Sequence, residues 1–181
     1  PILFNRGETV SRFDGDVEVI RGDRNDHDAF AALVKDLAVD AVVDMLTYEE
    51  TRAAQNVALF RDRVAHYLFC STVCVYGGPL SQIPAMESES RTPVSAYGRG
   101  KLLAEEVFFQ AHADFGFPVT LFRPSHCYGP GMPLLDIWGY DASLVSRLRA
   151  GQPILVAGDG HGLWQPGHVA DMAKGFVGAL G

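Results

Sequence analysis

The chain has 181 residues, of which 48% are hydrophobic and 20% charged, so it is long enough to bury a core and too apolar to be intrinsically disordered. Its 15 basic and 22 acidic residues give a net charge of −7, which argues against nucleic acid or an anionic membrane as a partner. No apolar run reaches the roughly 18 residues of a membrane span, and no secretory leader begins the chain, so we expect a cytoplasmic protein.

Short apolar runs alternate with segments of helical spacing in the first half of the chain. Such continuous apolar runs are typical of parallel strands that are buried on both faces. Strands are predicted at residues 2–4, 17–20, 40–46 and 66–75, with helices between them at residues 28–37 and 48–63.

The second half continues the alternation after a polar segment at 81–95, which contains two prolines and is predicted to be a loop. The remaining predicted elements are helices at 96–115, 141–150 and 168–180, strands at 118–122 and 153–156, and a Pro/Gly-rich loop at 129–139. This order predicts an α/β fold built from βαβ units, with a parallel sheet and helices on both of its faces. Ligands of such sheets bind at the carboxyl ends of the strands.

Two groups of residues could carry chemistry. Tyr97 and Lys101 are four residues apart on one helix face, where an ammonium can favour a phenolate and so create a general acid/base. Ser71 and Thr72 follow a buried strand and could bind a substrate oxygen. Taken separately, each group has a simpler interpretation: a solvated surface pair, and hydroxyls that bond nearby backbone.

The order of these motifs is more specific than either group alone. The segments S-T-V-C-V-Y-G at 71–77, Y-G-R-G-K at 97–101 and R-P-S-H-C-Y-G-P at 123–130 resemble the extended short-chain dehydrogenase/reductase family, in its NAD-dependent epimerase/dehydratase-like branch. The resemblance covers nearly the whole chain. It implies a Rossmann-like, doubly wound parallel sheet that lacks its first strand–helix unit, followed by the start of a small substrate lobe.

The resemblance also implies roles for individual residues. Tyr97 would be the acid/base, Lys101 would bind the nicotinamide ribose and lower the Tyr97 pKa, and Thr72 would align the reacting oxygen. The cofactor contacts that it implies are Arg6, Asp23, Arg24, Ser71, Tyr97, Lys101, Pro124 and Ser125, with Asp23 and Arg24 near adenine and Pro124 and Ser125 near the nicotinamide. Asn56 is only a structural candidate.

The cofactor is expected to be NADP or NAD. An acidic residue after the second strand of the family binds the ribose 2′-hydroxyl of NAD, whereas a basic residue accommodates the 2′-phosphate of NADP. Arg6 stands at that place and no acid accompanies it within the strand end, which favours NADP. A plain surface cation is the alternative interpretation of Arg6.

The glycine fingerprint G-x-x-G-x-x-G, which binds the cofactor pyrophosphate, is absent from the sequence. The chain begins abruptly inside an apolar run, so we expect a fragment rather than a protein that has lost this function. We assign residues 1–128 and 168–181 to an incomplete NAD(P)-binding domain, and residues 129–167 to part of a substrate-binding lobe.

Three departures from the family pattern bear on the substrate. Val73 and Cys74 stand where sugar dehydratases carry an Asp-Glu pair, so 4,6-dehydration is not expected. His126 and Trp164 stand where relatives that bind nucleotide sugars place an Asn and an Arg, and the loss of that Arg removes charge-assisted bonds to a diphosphate. Val73, His126 and Trp164 are therefore the candidate substrate contacts, and a substrate other than a nucleotide sugar is open.

The sequence thus predicts an NAD(P)-dependent oxidoreductase or epimerase that acts on a secondary alcohol or ketone of a sugar, nucleotide sugar or natural-product intermediate. The alternative is a cofactor-free relative that serves as a binding module. A similarity to the chloroplast stem-loop binding proteins suggests RNA, which the negative charge disfavours. We expect a homodimer through the helices at 48–63 and 96–115, three reduced cysteines, and no metal.

Overall fold

The structure is a computed structural model that describes residues 1–8, 13, 15–132, 143–156 and 158–181. Its strands are β1 (Ile2–Asn5), β2 (Glu18–Arg21), β3 (Ala41–Asp44), β4 (His66–Cys70), β5 (Val119–Phe122), β6 (His126–Tyr128) and β7 (Pro166–His168). Its α-helices are α1 (His27–Val34), α2 (Glu50–Phe60), α3 (Ala96–Phe115), α4 (Leu144–Arg149) and α5 (Val169–Gly178), and a single 3₁₀ turn lies at Val73–Val75.

All strand pairs in the described part of the chain are parallel apart from one isolated bridge between Gly129 and Met132, which confirms the predicted α/β architecture. The strands form three groups: β1 pairs with β2, β4 lies between β3 and β5, and β6 pairs with β7. Because β6 and β7 lie side by side, the two ends of the predicted lobe segment 129–167 come together at one place. The division into two domains stays a prediction.

Helices cover both faces of the β3–β4–β5 sheet, as predicted. Val119 and Leu121 of β5 pack against the core under α2 and α3, so the alternating residue Phe122 points to the opposite face. There its ring stacks on Phe176 of α5, with centroids 4.4 Å apart. None of the described helices is both long and apolar enough to cross a lipid bilayer.

The structure corrects several predicted elements. The strand predicted at 66–75 ends at Cys70, because the Thr72 hydroxyl accepts a bond from Cys74 N (3.2 Å) and starts the 3₁₀ turn. The strand predicted at 153–156 is wrong, since those residues make no ladder and Leu155 is exposed. The short strands β6 and β7 were not predicted. The start of the helix predicted at 141–150, and residues 133–139 of the predicted loop, lie outside the described residues.

Helix α3 has the predicted bounds because the sequence contains both of its caps. Ser95 Oγ accepts a hydrogen bond from Gly98 N (2.9 Å) at the start. Gly116, at φ +72°, ends the helix in the left-handed conformation that glycine adopts without strain. Leu103 and Phe109 are exposed on this helix, which is one of the two helices of the predicted homodimer. The dimer itself stays a prediction.

The core lies between β4 and the helices α1, α2 and α3. Phe108 of α3 is fully buried at its centre, with ring centroids 5.2 Å from Tyr67, 4.8 Å from Phe69 and 6.2 Å from Phe117. The buried cluster comprises Phe30, Val34, Ala53, Val57, Phe60, Val64, Tyr67, Phe69, Ala104, Phe108, Ala111 and Phe117. This packing holds α3 against β4 and β5.

We expect Phe108→Ala to lower the free energy of unfolding by about 3–5 kcal/mol, because it leaves a cavity among three rings. The measurement is urea denaturation followed by circular dichroism. Phe109→Ala is the matched control, since the neighbouring ring is 43% exposed and its loss should cost less than about 1 kcal/mol. Equal effects of the two substitutions would show that Phe108 does not organise the core.

Candidate active site

The segments that leave β4 and β5 run side by side. Ser71 N donates to Phe122 O (2.7 Å), and Val73 N donates to Pro124 O (3.1 Å). These two bonds place Thr72 and Val73 next to Pro124, at the carboxyl ends of parallel strands. The Ser71–Thr72 group and the R-P motif therefore meet at one edge of the sheet.

The start of α3 packs against the 3₁₀ turn that follows Thr72. A Cβ at Gly98 would overlap the carbonyl oxygen of Cys74, so glycine is required for this close approach. The contact brings the half-exposed Tyr97 side chain close to the Thr72 hydroxyl. Burial raises the pKa of Tyr97, and the interaction with Thr72 opposes this only in part. Tyr97 is therefore a neutral phenol at neutral pH.

Lys101 lies one turn further along α3 and is almost fully buried, at 1% exposed. Its Nζ donates to Cys70 O at the end of β4 (2.7 Å). Burial lowers the pKa of Lys101, while nearby anionic groups oppose the change. The structure thus brings Thr72, Tyr97 and Lys101 together, and the interpretation of Lys101 as a solvated surface residue is wrong.

Burial is the largest cause of the raised Tyr97 pKa. The Lys101 ammonium donates to the Cys70 carbonyl oxygen. A lowering effect of Lys101 on the Tyr97 pKa, which the resemblance implies, stays a prediction.

Ser71, which was predicted to contact the cofactor, uses its hydroxyl for a contact within the protein. Its buried hydroxyl donates to Glu105 Oε1 (2.5 Å), and the same carboxylate accepts bonds from Arg123 (2.8 Å from both Nε and Nη2) and from Arg91 (3.2 Å). Arg123 also donates to the Tyr76 hydroxyl (2.6 Å). Ser71 therefore belongs to a buried network that joins α3, both strand ends and the following loop.

Sequence reasoning missed Glu105, although a signal was present: it lies four residues after Lys101, on the same face of α3. Burial alone would raise the pKa of Glu105, but bonds from Arg123 and Ser71 and the charges of Arg123 and Arg91 hold it below its usual value. The Arg123 pKa is raised in turn, chiefly by its hydrogen bond to Glu105.

A second buried carboxylate, Asp44, occupies the end of β3 and was also missed. It accepts hydrogen bonds from Arg24 Nη1 (2.6 Å), the Tyr67 hydroxyl (2.7 Å), the Thr47 hydroxyl (2.6 Å) and Asn56 Nδ2 (3.2 Å). Burial opposes ionisation of Asp44, but the Arg24 bond and charge keep its pKa below the usual value. Asn56 thus has a structural role, as expected.

The residues predicted to lie near adenine make contacts within the protein. Arg24 donates to Asp44 and to the Thr47 hydroxyl (2.7 Å), so its guanidinium pairs with a buried carboxylate, and its contact with adenine stays a prediction. Asp23 accepts a bond from Asn25 N (2.8 Å), which makes a local turn. Arg6 is exposed and pairs with Glu8 (2.9 Å).

The residues predicted to lie near the nicotinamide and the substrate follow β5 directly. The Ser125 hydroxyl is buried and has no hydrogen-bond partner among the described residues, so it has unused bonding capacity. The ring of His126 lies 5.6 Å from that of Trp164, which is exposed, and Val73 is exposed as well. Within the described ranges, no group of three or more His, Cys, Asp or Glu residues could hold a metal ion.

Comparison with known proteins identifies the family. The profile of the NAD dependent epimerase/dehydratase family matches residues 2–181. The chain belongs to this family. The 2'-dehydrokanamycin reductase of Streptomyces kanamyceticus is 29% identical over 172 residues, which are 94% of this chain and 48% of that protein. The chloroplast stem-loop binding protein of 41 kDa b of Arabidopsis thaliana is 28% identical over 162 residues, 90% of this chain and 40% of that protein.

Solved structures of NAD-bound proteins share the fold of this family member. The UDP-glucuronic acid 4-epimerase of Bacillus cereus, in complex with UDP-glucuronic acid and NAD, superposes with a TM-score of 0.68 at 22% identity, over 91% of this chain and 55% of that chain. The Bordetella bronchiseptica enzyme WbmH in complex with NAD⁺ gives a TM-score of 0.73 at 19% identity, over 99% and 62%. The chain therefore spans about half the length of the proteins that it matches.

The Glu105 network predicts a specific dependence of stability on pH. Because the folded Glu105 pKa lies below the unfolded value of about 4.3, its stabilisation is present above that pH and is lost as the pH falls through the folded pKa. We expect Glu105→Gln to lower the free energy of unfolding by about 3 kcal/mol at pH 7, with the difference from the wild type shrinking below pH ~4. Urea denaturation across this range is the measurement.

The control for this experiment is Glu106→Gln, which removes the same charge from the exposed neighbouring position. It should change the free energy of unfolding by less than about 0.5 kcal/mol at every pH. A deficit of Glu105→Gln that stayed constant as the pH fell would exclude an ionised Glu105 as the stabilising group.

Proposed function

We propose that this family member forms the catalytic part of a nicotinamide-dependent oxidoreductase or epimerase that acts on a secondary alcohol or ketone. The observation that carries this proposal is the convergence of Thr72, Tyr97 and Lys101 at the carboxyl end of β4. A half-exposed phenol, a neighbouring hydroxyl and a buried ammonium are the groups that proton transfer to a carbonyl oxygen requires.

The protonation states favour Tyr97 as a proton donor to the reacting oxygen. Its raised pKa keeps the proton on the phenol until a substrate oxygen gains negative charge. Thr72, which lies close to Tyr97, would orient that oxygen. Lys101 would bind ligand hydroxyls through the N–H groups that the Cys70 carbonyl leaves free, since an ammonium has three donors.

A nicotinamide cofactor, when bound, would supply or accept the hydride at the carbon of the reacting alcohol or ketone. The residues of this chain fit its nicotinamide-ribose half: Lys101 has donors to offer, and the Ser125 hydroxyl is buried without a partner among the described residues. Family membership and the NAD bound in structural neighbours support this cofactor class.

The substrate class that we propose is a sugar or a sugar-derived natural product. The exposed Trp164 ring beside His126 offers an apolar face on which a pyranose ring can stack. A nucleotide diphosphate would need a guanidinium, and Trp164 stands where such relatives carry it. One relative is named a 2'-dehydrokanamycin reductase and another a UDP-glucose 4-epimerase. Compounds of both kinds should therefore be tested as substrates.

Replacement of Tyr97 by Phe tests the mechanism. We expect kcat to fall by about 10²–10⁴-fold, because the proton donor is lost, while cofactor affinity changes little. Turnover is followed through the absorbance of the reduced nicotinamide with a panel of sugar ketones and alcohols, and binding through its fluorescence. Full turnover by Tyr97→Phe would eliminate this mechanism, and a wild type that binds no nicotinamide would favour the cofactor-free binding module.

We also propose a preference for NADP that depends on Arg6. Its exposed ion pair with Glu8 is weak enough to open for a ribose 2′-phosphate. Arg6→Ala should lower the ratio of NADPH to NADH affinity about tenfold, as measured by fluorescence titration. Arg61→Ala removes an equal charge from the exposed C-terminal end of α2 and should leave the ratio unchanged. An unaltered ratio in Arg6→Ala would refute the assignment.

A further inference from the structure

Two aromatic rings enclose the ammonium group of Lys101. Its Nζ lies 4.4 Å from the centroid of the Tyr48 ring and 4.9 Å from that of Phe69, while it donates to Cys70 O at 2.7 Å. The negative faces of aromatic rings attract a cation within about 6 Å, and more strongly where water is excluded. Lys101 is 1% exposed, so both rings act on a desolvated charge.

We propose that Tyr48 is a positioning residue whose ring, together with that of Phe69, forms an aromatic cage that holds the Lys101 ammonium at the active site. Phe69 belongs to β4 and to the core, whereas Tyr48 comes from the loop after β3, outside every motif that the sequence analysis assigned to catalysis. The ring of Tyr48 also contacts that of Tyr97, with centroids 5.9 Å apart at 47°. One side chain thus touches two members of the triad.

Contacts on both sides of Tyr48 position its ring against Lys101. Leu46 N and Thr47 N both donate to Asp44 Oδ1, at 3.0 and 3.1 Å, which anchors the backbone immediately before Tyr48. On the other side, a Cβ at Gly100 would overlap the Tyr48 carbonyl oxygen, so glycine in α3 admits the loop. Asp44 therefore helps to position the Tyr48 ring beside Lys101.

The cage supplies a stabilising environment for a cation at a desolvated position. Burial lowers the Lys101 pKa, and Cys70, Asp44 and Glu105 oppose this change. The faces of the two rings add an attraction for the charged form. The charged and titratable groups that face Lys101 are Asp44, Arg24, Cys70 and Glu105, with the phenols of Tyr48 and Tyr97 beside it. The catalytic use of the cage rests on the proposed function, but its existence does not.

The chain contains only three lysines, Lys35, Lys101 and Lys174, so the cage can be tested directly by NMR of lysine labelled with ¹³C at Cε. Tyr48→Leu removes the ring and keeps an apolar cover, while Tyr48→Phe keeps the ring and serves as the matched control. In Tyr48→Leu we expect the Lys101 pKa to fall by about 0.5, a roughly threefold shift toward the neutral amine. Its Hε resonance should also lose part of its ring-current shift.

Tyr48→Phe should keep both signals close to the wild type. A circular dichroism spectrum that matches the wild type reports an intact fold, while the exposed Lys35 and Lys174 give reference signals. If Tyr48→Leu is unstable, Tyr48→Met repeats the test with a flexible apolar side chain. Lys101 resonances that are the same in the wild type and in Tyr48→Leu or Tyr48→Met would overturn the proposal, since a ring with only a structural role leaves the ammonium unaffected.

Kinetics separates this inference from the proposed function. With a loosened ammonium, Tyr48→Leu should raise the KM for the reduced cofactor several-fold, and Tyr48→Phe should restore the wild-type value. If the wild type neither binds a nicotinamide nor turns over, the proposed function fails while the NMR result still decides the cage. If the wild type is active and the loss of the ring leaves KM and kcat unchanged, the positioning role fails.

Discussion

The buried ion pair between Glu105 and Arg123 is the interaction on which the rest of this arrangement depends. Glu105 lies on α3 and Arg123 follows β5, so the pair ties the longest helix to the sheet at the edge where the site lies. The carboxylate would be costly to bury alone, but Ser71 and Arg91 complete its hydrogen bonds. A satisfied network of this kind fixes one geometry, and it sets the position of the helical turns that carry the reactive side chains.

Asp44 has a comparable role one strand away. At the end of β3 it accepts hydrogen bonds from four side chains and two backbone amides. These bonds fix the conformation of the following loop. That conformation brings Tyr48 against Lys101. The two buried carboxylates therefore hold the two sides of the same site, and neither one touches the groups proposed to react.

The proposed chemistry depends on the different protonation environments of Tyr97 and Lys101. Tyr97 is half-exposed and neutral, because burial opposes its ionisation more strongly than its interaction with Thr72 favours it. Lys101 is almost fully buried, yet rings and a carbonyl oxygen surround its ammonium. A neutral proton donor beside a fixed cation suits a reaction in which negative charge develops on a substrate oxygen.

The sequence by itself determined the α/β class, the parallel strands and the bounds of α3, because hydrophobic period and helix caps are local properties of the chain. The grouping of Thr72, Tyr97 and Lys101 was implied by the resemblance of the motifs to a family. Only the tertiary structure decided the partners of the buried charges. Ser71 and Arg24, expected to contact a cofactor, bond to Glu105 and Asp44, which are 34 and 20 residues away from them. The strand expected at 153–156 pairs with no strand among the described residues, whereas three residues at β6 form a strand because β7 lies beside them. Such pairings depend on which segments meet in space, and no local pattern encodes that.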